Sequence, residues 1–164
     1  MIDRALIPEI ESALFRQALG HFASGVTVIT ALDRGEPVGL AANSFSSLSL
    51  EPPLVLFCAG KSSTTWPRIK SAGTFCVNVL EERQEALCRQ FAGKGDKFHG
   101  VGWHPASHSG APILDNVLTW IDCVIDAEHD AGDHLVVVGR VMELNINEGK
   151  PLLFYRGGYG RYEV

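Results

Sequence analysis

The 164-residue sequence lacks the motifs that usually mark a dinucleotide-binding helix, a hydrolase nucleophile or a catalytic zinc ion. It contains no G-x-G-x-x-G, no G-x-S-x-G and no H-E-x-x-H pattern, so a Rossmann fold, a serine hydrolase and a zinc protease have no support. No apolar run approaches the roughly 18 residues that cross a bilayer, and the first residues lack the apolar stretch of a signal peptide. The sequence therefore predicts a cytoplasmic protein with no bound metal and no membrane partner.

Cysteine is scarce as well, and its four copies, Cys58, Cys76, Cys88 and Cys123, lie far apart in the sequence. No C-x-x-C pair is present, and three of the four occupy apolar, strand-like runs in which a thiol behaves as a small hydrophobic side chain. We therefore expect reduced and buried thiols rather than disulfides or a metal site.

Positive charge is in deficit, since 14 Lys and Arg residues stand against 19 Asp and Glu residues and leave a net charge of −5. No basic stretch stands out, which argues against a nucleic-acid partner. A hydrophobic content of 46% with 20% charged residues is ordinary for a globular protein. The length suits a single domain over residues 1–164.

The hydrophobic pattern predicts six or more strands and two or three helices. Apolar residues three and four apart predict an amphipathic helix over residues 11–23, and VTVITAL (26–32) predicts a strand that turns back into a hairpin. Further strands are predicted at 53–59 and 74–80, and two further helices are predicted, one that begins after residues 63–65 and one over residues 81–92. A loop over 93–110, paired strands over 117–144 and a strand PLLFY before a flexible tail complete the prediction. Because strands and helices do not alternate, we expect a closed barrel rather than a doubly wound sheet.

The segment GLAANSFSSLSLEPPL (39–54) is the most informative part of the chain. Short hydroxyl side chains alternate with Phe45, Leu48 and Leu50, which predicts a strand with one polar face and one buried face. The Pro52–Pro53 pair must end or turn the strand, because proline cannot donate to a sheet ladder. The polar face is equally consistent with a ligand wall and with a solvent-exposed strand.

Three further segments are candidate sites, each with an ordinary structural alternative. The hydroxyl cluster of residues 62–65 before a helix could hold a phosphate, aided by Lys61 and Arg68, or could merely cap that helix. His134, after Gly132–Asp133, could line a barrel mouth or lie exposed in a turn. The tail from Arg156 to Tyr159 could be a lid or could fray. Because no metal, triad or acid–base pair is evident, the pattern favours chemistry supplied by a cofactor.

Taken together, these segments resemble the flavin reductase family, the short reductase components of two-component flavin-dependent monooxygenases. The resemblance runs from Phe15 to Tyr159 and includes FRQALGHFASGVTVITA, GLAANSFSSLSLEPPLVLFC, SAGTFCVNVL, FAGKGDKF, GAPIL, GDH, GRV and PLLFYRGGY. It implies a mainly β fold with flanking helices, a Greek-key split β-barrel of the FMN-binding type, and a homodimer. It also implies hydride transfer from NADH or NADPH to FMN or FAD, and supply of the reduced flavin to a separate oxygenase of aromatic or steroid ring hydroxylation.

The resemblance also implies roles for particular residues. His134 would line the nicotinamide pocket as the catalytic residue, and Tyr159 would close over it. The flavin ring system, ribityl chain, phosphate and border would be contacted by Ala41, Ala42, Asn43, Ser44, Ser46, Ser47, Ser62, Ser63, Thr64, Phe91, Ala92 and Lys97. Two positions depart from the common pattern, since Ala42 replaces a frequent Thr and Lys97 replaces a frequent Arg.

Two rivals belong to other classes. A non-catalytic flavin carrier would use the same serine wall and phosphate cap, but it would need no nicotinamide pocket. A split-barrel flavin oxidase would need an acid–base or cationic set at the flavin face, for which the sequence offers little beyond His134.

Overall fold

The computed structural model describes residues 8–163, so the extreme ends of the predicted domain, residues 1–7 and 164, lie outside it. Within the described residues the chain forms twelve strands and three helices, which makes the fold mainly β with flanking helices, as the sequence predicts. The helices are α1 (Ser12–Leu19), α2 (Trp66–Ala72) and α3 (Glu85–Ala92). The strands are β1 (Ser24–Gly25), β2 (Thr27–Asp33), β3 (Glu36–Ala42), β4 (Ser46–Leu50), β5 (Pro53–Gly60), β6 (Thr74–Val79), β7 (Trp103–Pro105), β8 (Pro112–Leu114), β9 (Thr119–Ala131), β10 (His134–Ile146), β11 (Leu152–Tyr155) and β12 (Gly158–Arg161).

Seven strands form one antiparallel sheet in the order β3-β2-β6-β9-β10-β5-β4. The predicted hairpin is confirmed as β2 and β3, paired from Thr27 opposite Ala42 to Asp33 opposite Glu36. The predicted long strand pair is confirmed as β9 and β10, which turn at Gly132 with a φ of 67°. A positive φ of this size suits glycine, because other side chains would clash with the backbone there.

The sheet must be strongly curled, because its two edge strands are consecutive in the chain. Only residues 43–45 separate the end of β3 from the start of β4, and an extended chain of that length spans at most about 14 Å. The hydrogen-bonded ladder nevertheless stays open between β3 and β4 within residues 8–163. The strand pairing therefore shows a mainly β fold, and closure of the sheet into a barrel stays a prediction.

Helix α2 lies where the local sequence predicts it, and α3 ends at the predicted residue 92 but begins later than predicted. Helix α2 has proline in its first turn and ends at Gly73, whose φ of 71° is left-handed. Helix α3 begins at Glu85 rather than at residue 81, since residues 81–84 form a turn in which the N–H of Glu81 donates to the Gln84 side chain at 2.9 Å. Helix α1 is also present, but it buries none of its side chains.

Other sequence predictions need correction. Strand β4 has no buried face, since Leu48 is 48% and Leu50 is 93% exposed. The reason is that β4 is an edge strand, and none of residues 8–163 covers these two side chains. The loop predicted over 93–110 contains β7, which pairs with β8. The predicted flexible tail forms β12, which pairs with β11 and completes a small three-stranded sheet with β1.

Two hydrophobic clusters hold these layers together. One lies between the main sheet and α2, around Phe57, Phe75 and Ile69. The other joins α3 to the small sheet, around Phe91 and Leu152. All four cysteines are free thiols. Among the described helices, none is both long enough and apolar enough to cross a bilayer.

Candidate functional site

Three clefts surround the segment from β3 to residue 44, and each is named here by one residue. The His134 cleft, of about 300 Å³, is lined by Leu40, Ala41, Ala42, Asn43, Ser44, Cys58, Ala59, Gly60, Ser63 and His134. The Lys97 cleft, of about 650 Å³, is lined by Glu36, Pro37, Val38, Gly39, Thr64, Thr65, Arg68, Gly93, Lys94, Gly95, Asp96, Lys97 and Phe98. The Tyr159 cleft, of about 170 Å³, is lined by Val26, Ala41, Ala42, Asn43, Cys88, Ala92, Phe154 and Tyr159.

Ser44 ties the connection between β3 and β4 to β5 at the His134 cleft. Its hydroxyl donates to the carbonyl of Cys58 at 3.2 Å and accepts from the N–H of the same residue at 3.0 Å. The side chain thus takes the place of a strand partner for β5 where β3 has ended. Its proton is used inside the protein, so Ser44 can offer a ligand its backbone but no hydroxyl donor.

His134 begins β10, at the turn from β9, and half of its side chain is exposed. Its Nδ1 lies 2.8 Å from Oδ1 of Asp133, so Nδ1–H donates to that carboxylate and Nε2 is left for the cleft. This hydrogen bond from His134 lowers the pKa of Asp133. The Nε2 atom would lie 3.7 Å from a Cβ placed on Gly60, so the ring stands close to the backbone of β5.

The loop from Lys61 to Thr65 forms the second wall of the His134 cleft. Oγ of Ser63 accepts from the N–H groups of Thr65 and Trp66, at 3.2 and 3.1 Å, so it caps α2. The helix start therefore has fewer free N–H groups than the sequence predicts. Among residues 8–163, the N–H groups of Ser62 and Thr64 have no hydrogen-bond partner, and the Ser63 hydroxyl proton is free to donate.

Lys97 points from the loop after α3 toward β3, where its Nζ donates to the carbonyl of Gly39 at 3.3 Å. Burial lowers the pKa of this ammonium group. The loop is held by Gln90, whose side-chain amide donates to the carbonyls of Lys97 and His99, each at 2.9 Å. Gly39 is required here, because a Cβ would come within 2.6 Å of the Phe91 ring beneath it.

The two other cations near the loop are already paired with carboxylates. Arg68 donates through Nε to Asp33 and through a terminal nitrogen to Glu36, both at 2.8 Å. Lys61 contacts Asp130 at 2.6 Å. Lys61 and Arg68 are therefore each paired with acidic residues distant in sequence, and their contribution to a phosphate site stays a prediction.

Neighbouring residues on two segments line the His134 and Lys97 clefts. On β3, Gly39 lines the Lys97 cleft and Leu40 lines the His134 cleft. On the facing loop, Thr64 lines the first and Ser63 lines the second. We call the two clefts together the groove, in which the lining beside His134 consists of uncharged side chains and the other part contains Lys97.

The Tyr159 cleft lies on the other side of residues 41–43 and is largely apolar. The Tyr159 hydroxyl is 3.3 Å from the Cys88 thiol, and the guanidinium of Arg89 lies 4.8 Å from the centre of the Tyr159 ring. The contact with Cys88 is the main cause that raises the pKa of Tyr159 to about 12. Tyr159 and His134 therefore line different clefts that share one wall.

Most of the residues singled out in the sequence come together around this groove. Phe91 is the exception within the core, since it is fully buried beneath Gly39. Ser46, Ser47 and Ser62 are exposed and line none of the three clefts, and Ser46 donates to the carbonyl of Ser47. Sequence reasoning missed Leu40, Gly39, Cys58, Ala59, Gly60 and Cys88, whose apolar runs carry no signal that they line a cleft.

No cluster of three or more metal-ligating side chains occurs in the part of the chain that the structure describes. His104 and His108 have the spacing of two ligands on one helical face. His104, however, lies in strand β7, so the two histidines share no helix.

Comparison with known proteins agrees with this geometry. The family model described as "Flavin reductase like domain" matches residues 19–163. The chain belongs to this family. The flavin reductase identification made from the sequence is thereby confirmed. The small sheet, α3 and the groove all lie inside the matched region.

Individual relatives within the family are similar over nearly the whole chain. The reductase subunit HsaB of a flavin-dependent monooxygenase from Rhodococcus jostii is 52% identical over 96% of this chain and 82% of its own length. The crystal structure of a nitrilotriacetate monooxygenase component B homologue from Mycobacterium thermoresistibile is 47% identical, covers 92% of this chain and 86% of its own, and has a TM-score of 0.89. The NADH:FAD oxidoreductase SgcE6 of Streptomyces globisporus, in complex with NAD and FAD fragments, is 37% identical over 92% of each chain, with a TM-score of 0.88.

Proposed function

We propose that this protein is an NAD(P)H:flavin oxidoreductase that transfers a hydride from reduced nicotinamide to FMN or FAD. The observation that carries the proposal is that neighbouring residues of β3 and of the loop before α2 line both the His134 cleft and the Lys97 cleft. The uncharged part of the groove suits a flat ring system with polar edges, because backbone from β3, β5 and residues 41–44 lines it. The Lys97 cleft supplies a cation for a phosphate.

The residues present fit the phosphate of a flavin nucleotide. Lys97 is a half-buried ammonium group whose hydrogen bond goes to a carbonyl, and among residues 8–163 it forms no salt bridge with a carboxylate. Thr64, whose N–H group is free among residues 8–163, and Ser63, whose hydroxyl can donate, line the groove as well. A partly desolvated cation facing several donors favours a phosphate, because each hydrogen bond to it is charge-assisted.

A bound flavin would supply the redox chemistry, by accepting a hydride at its ring system. The protein's part is to hold and align the two ring systems, and alignment of this kind is worth roughly 7–11 kcal/mol at best. Ser44 fixes the wall of the groove by tying residue 44 to Cys58. Asp133 orients His134, so that Nε2 can contact the nicotinamide nucleotide rather than turn to solvent.

A homodimer and a partly closed barrel remain part of this proposal. Five apolar side chains on β4 and β10, Leu48, Leu50, Met142, Leu144 and Ile146, are between 45% and 93% exposed, which supports a second copy covering this face. The short connection between β3 and β4 supports a split barrel, since it brings the two open edges close together. We take residues 1–164 as one domain, and the four free thiols are consistent with a reducing, cytoplasmic location.

The relatives support a further element of the proposal, namely delivery of reduced flavin to a separate oxygenase. HsaB and the component B homologue are named as parts of monooxygenases, which fits a groove that is open to solvent and can release its flavin. We propose an aromatic or steroid ring hydroxylase as the partner.

The direct test is anaerobic mixing of the purified protein with NADH or NADPH and with FMN or FAD. Loss of the flavin's visible absorbance, faster than without protein, is the expected result. Protein that binds flavin but leaves it oxidised under all four pairings would instead indicate a carrier. A His129→Ala variant, altered at an exposed histidine on β9, serves as a control for the histidine variants below.

A further inference from the structure

Lys97 lies in a loop whose backbone makes few hydrogen bonds of its own. Residues 93–97 follow α3 and include Gly95, whose φ of 98° is left-handed. Among residues 8–163, the backbone of residues 94–97 makes no hydrogen bond to another backbone group. The position of Lys97 therefore depends on side chains that contact this loop.

Gln90, in the last turn of α3, is a side chain outside the loop that holds it. Its amide nitrogen donates to the carbonyl of Lys97 and to the carbonyl of His99, each at 2.9 Å. One side-chain amide can satisfy both carbonyls, because its nitrogen carries two N–H donors. Gln90 thereby fixes the backbone at Lys97 and again two residues further along the chain.

The residue after Gln90 supports the other end of the Lys97 side chain. The ring of Phe91 packs beneath Gly39, and the carbonyl of Gly39 accepts from Nζ of Lys97 at 3.3 Å. Burial removes part of the hydration of this ammonium group and lowers its pKa. Lys97 would regain that hydration by moving toward solvent if its backbone were released. Two neighbouring residues of α3 thus support the two ends of one lysine.

We propose that Gln90 is a positioning residue for the flavin phosphate, an inference that rests on the flavin reductase function proposed above. By holding the carbonyl of Lys97, it keeps the Lys97 ammonium group in the groove. Gln90 itself lines none of the three clefts, so it acts through Lys97 and does not contact the ligand. Loss of its amide should weaken the binding of a flavin that carries a phosphate more than that of a flavin without one.

The test compares the dissociation constants of FMN and of riboflavin by calorimetric titration of the purified protein without nicotinamide. Gln90→Met keeps the length of the side chain and removes both donors. It should weaken FMN binding about fivefold, while riboflavin binding should stay within about twofold of the wild type. A merely structural role would weaken the binding of both flavins alike.

Gln84→Met is the matched control. The side chain of Gln84 also donates to a backbone carbonyl, that of Asp115 at 2.8 Å, but it lines a different cleft. The variant therefore loses a comparable hydrogen bond, and its affinities for FMN and riboflavin should both stay as in the wild type.

A double-mutant cycle with Lys97→Met shows whether the effect passes through Lys97. If it does, adding Gln90→Met to Lys97→Met should weaken FMN binding by less than about twofold, because the two residues act as one unit. A further loss of about fivefold in that background would show an independent effect of Gln90 and would overturn the proposal.

Gln90→Asn, whose amide is one methylene short of the two carbonyls, is the second variant and should reproduce the selective loss if Gln90→Met does not fold. Unchanged FMN affinity in the folded variant, or equal losses for FMN and riboflavin, would refute the positioning role. The reductase function would still stand, provided that the wild-type protein speeds the bleaching of flavin by reduced nicotinamide. Wild-type protein that binds neither flavin and bleaches none would instead remove the proposed function itself.

Discussion

The hydroxyl of Ser44 makes two hydrogen bonds to the backbone of one residue, Cys58, at 3.0 and 3.2 Å. Ser44 lies between β3 and β4, and Cys58 lies in β5, so this contact extends the β4–β5 pairing beyond Ser46 and Leu56. The side chain substitutes for the missing strand partner and gives the groove a rigid wall.

Replacement of Ser44 by alanine should therefore lower stability as well as ligand affinity. The change leaves a part-buried N–H and carbonyl of Cys58 without their partner, which costs about 1–2 kcal/mol in the free energy of unfolding. Urea titration should detect this loss. Ser46→Ala, at an exposed hydroxyl two residues away, should change stability by less than about 0.5 kcal/mol. Equal effects of the two variants would contradict the role of Ser44.

Lys97→Met tests whether this ammonium group holds the flavin phosphate. Loss of a charge-assisted hydrogen bond should weaken FMN binding about tenfold. Riboflavin, which has no phosphate, should bind the variant and the wild type alike. Lys150→Met, at an exposed lysine outside the three clefts, is the matched control. A parallel loss of riboflavin affinity would show that Lys97 shapes the groove rather than binding phosphate.

His134→Ala should separate the nicotinamide from the flavin. Because Nε2 faces the cleft while Nδ1 is held by Asp133, loss of the ring should raise the KM for NADH about fivefold. The dissociation constant of FMN should change little. The His129→Ala control should leave both constants as in the wild type. A variant with an unaltered KM for NADH would remove His134 from the site.

Cys58 offers a test of ligand position that does not depend on activity. It is half-buried and lines the His134 cleft. The other three thiols are buried, and burial raises the pKa of Cys76, Cys88 and Cys123, the last to about 12. Since the thiolate is the reactive form, a thiol reagent at mildly alkaline pH should modify Cys58 first. Saturating FMN should slow that phase, and Cys58→Ser should abolish it. A rate that FMN does not change would place the flavin elsewhere.

Tyr159 should give the protein a pH-dependent stability at the alkaline end. Its pKa is raised to about 12 in the folded state, whereas an unperturbed tyrosine titrates near 10. The stabilisation is therefore complete below about pH 10 and is lost as the pH rises from there through about 12. Tyr159→Phe should abolish this alkaline loss, as followed by tyrosinate absorbance and thermal unfolding. Tyr162→Phe, at an exposed tyrosine, should retain it.

The strand and helix content of the chain was predictable where the signal is local. The β2–β3 hairpin, the proline and glycine limits of α2, and the β9–β10 pair follow from alternation and turn residues close in sequence. Strand β7 and the strand at the C-terminal tail were missed, because short strands of mixed composition form only when a partner is in place. The buried face predicted for β4 was wrong, since burial depends on what packs against a strand.

The candidate site divides in the same way. The hydroxyl-rich loop, Lys97 and His134 were visible as polar residues at turns and strand ends. The ion pairs of the nearby cations were not visible, because Lys61 and Arg68 pair with Asp130, Asp33 and Glu36, which lie between 32 and 69 positions away. Nor could Cys58 and Gly60 be recognised as cleft residues while they read as part of an apolar strand.

Residues close together in the sequence were thus enough to specify most element types, the turns and the reduced thiols. The ordered motifs along the chain were enough to identify the family to which the protein belongs. The use of each side chain was settled only by long-range contacts. Ser44 binds the backbone of Cys58 and Arg68 pairs with Asp33, because folding brought these distant partners within hydrogen-bond distance. Ser63 caps α2 because the turn that precedes the helix places its hydroxyl at the N–H of Trp66. Hydrogen bonds and ion pairs act over a few ångströms of space, so their partners depend on which segments the fold brings together rather than on the order of residues.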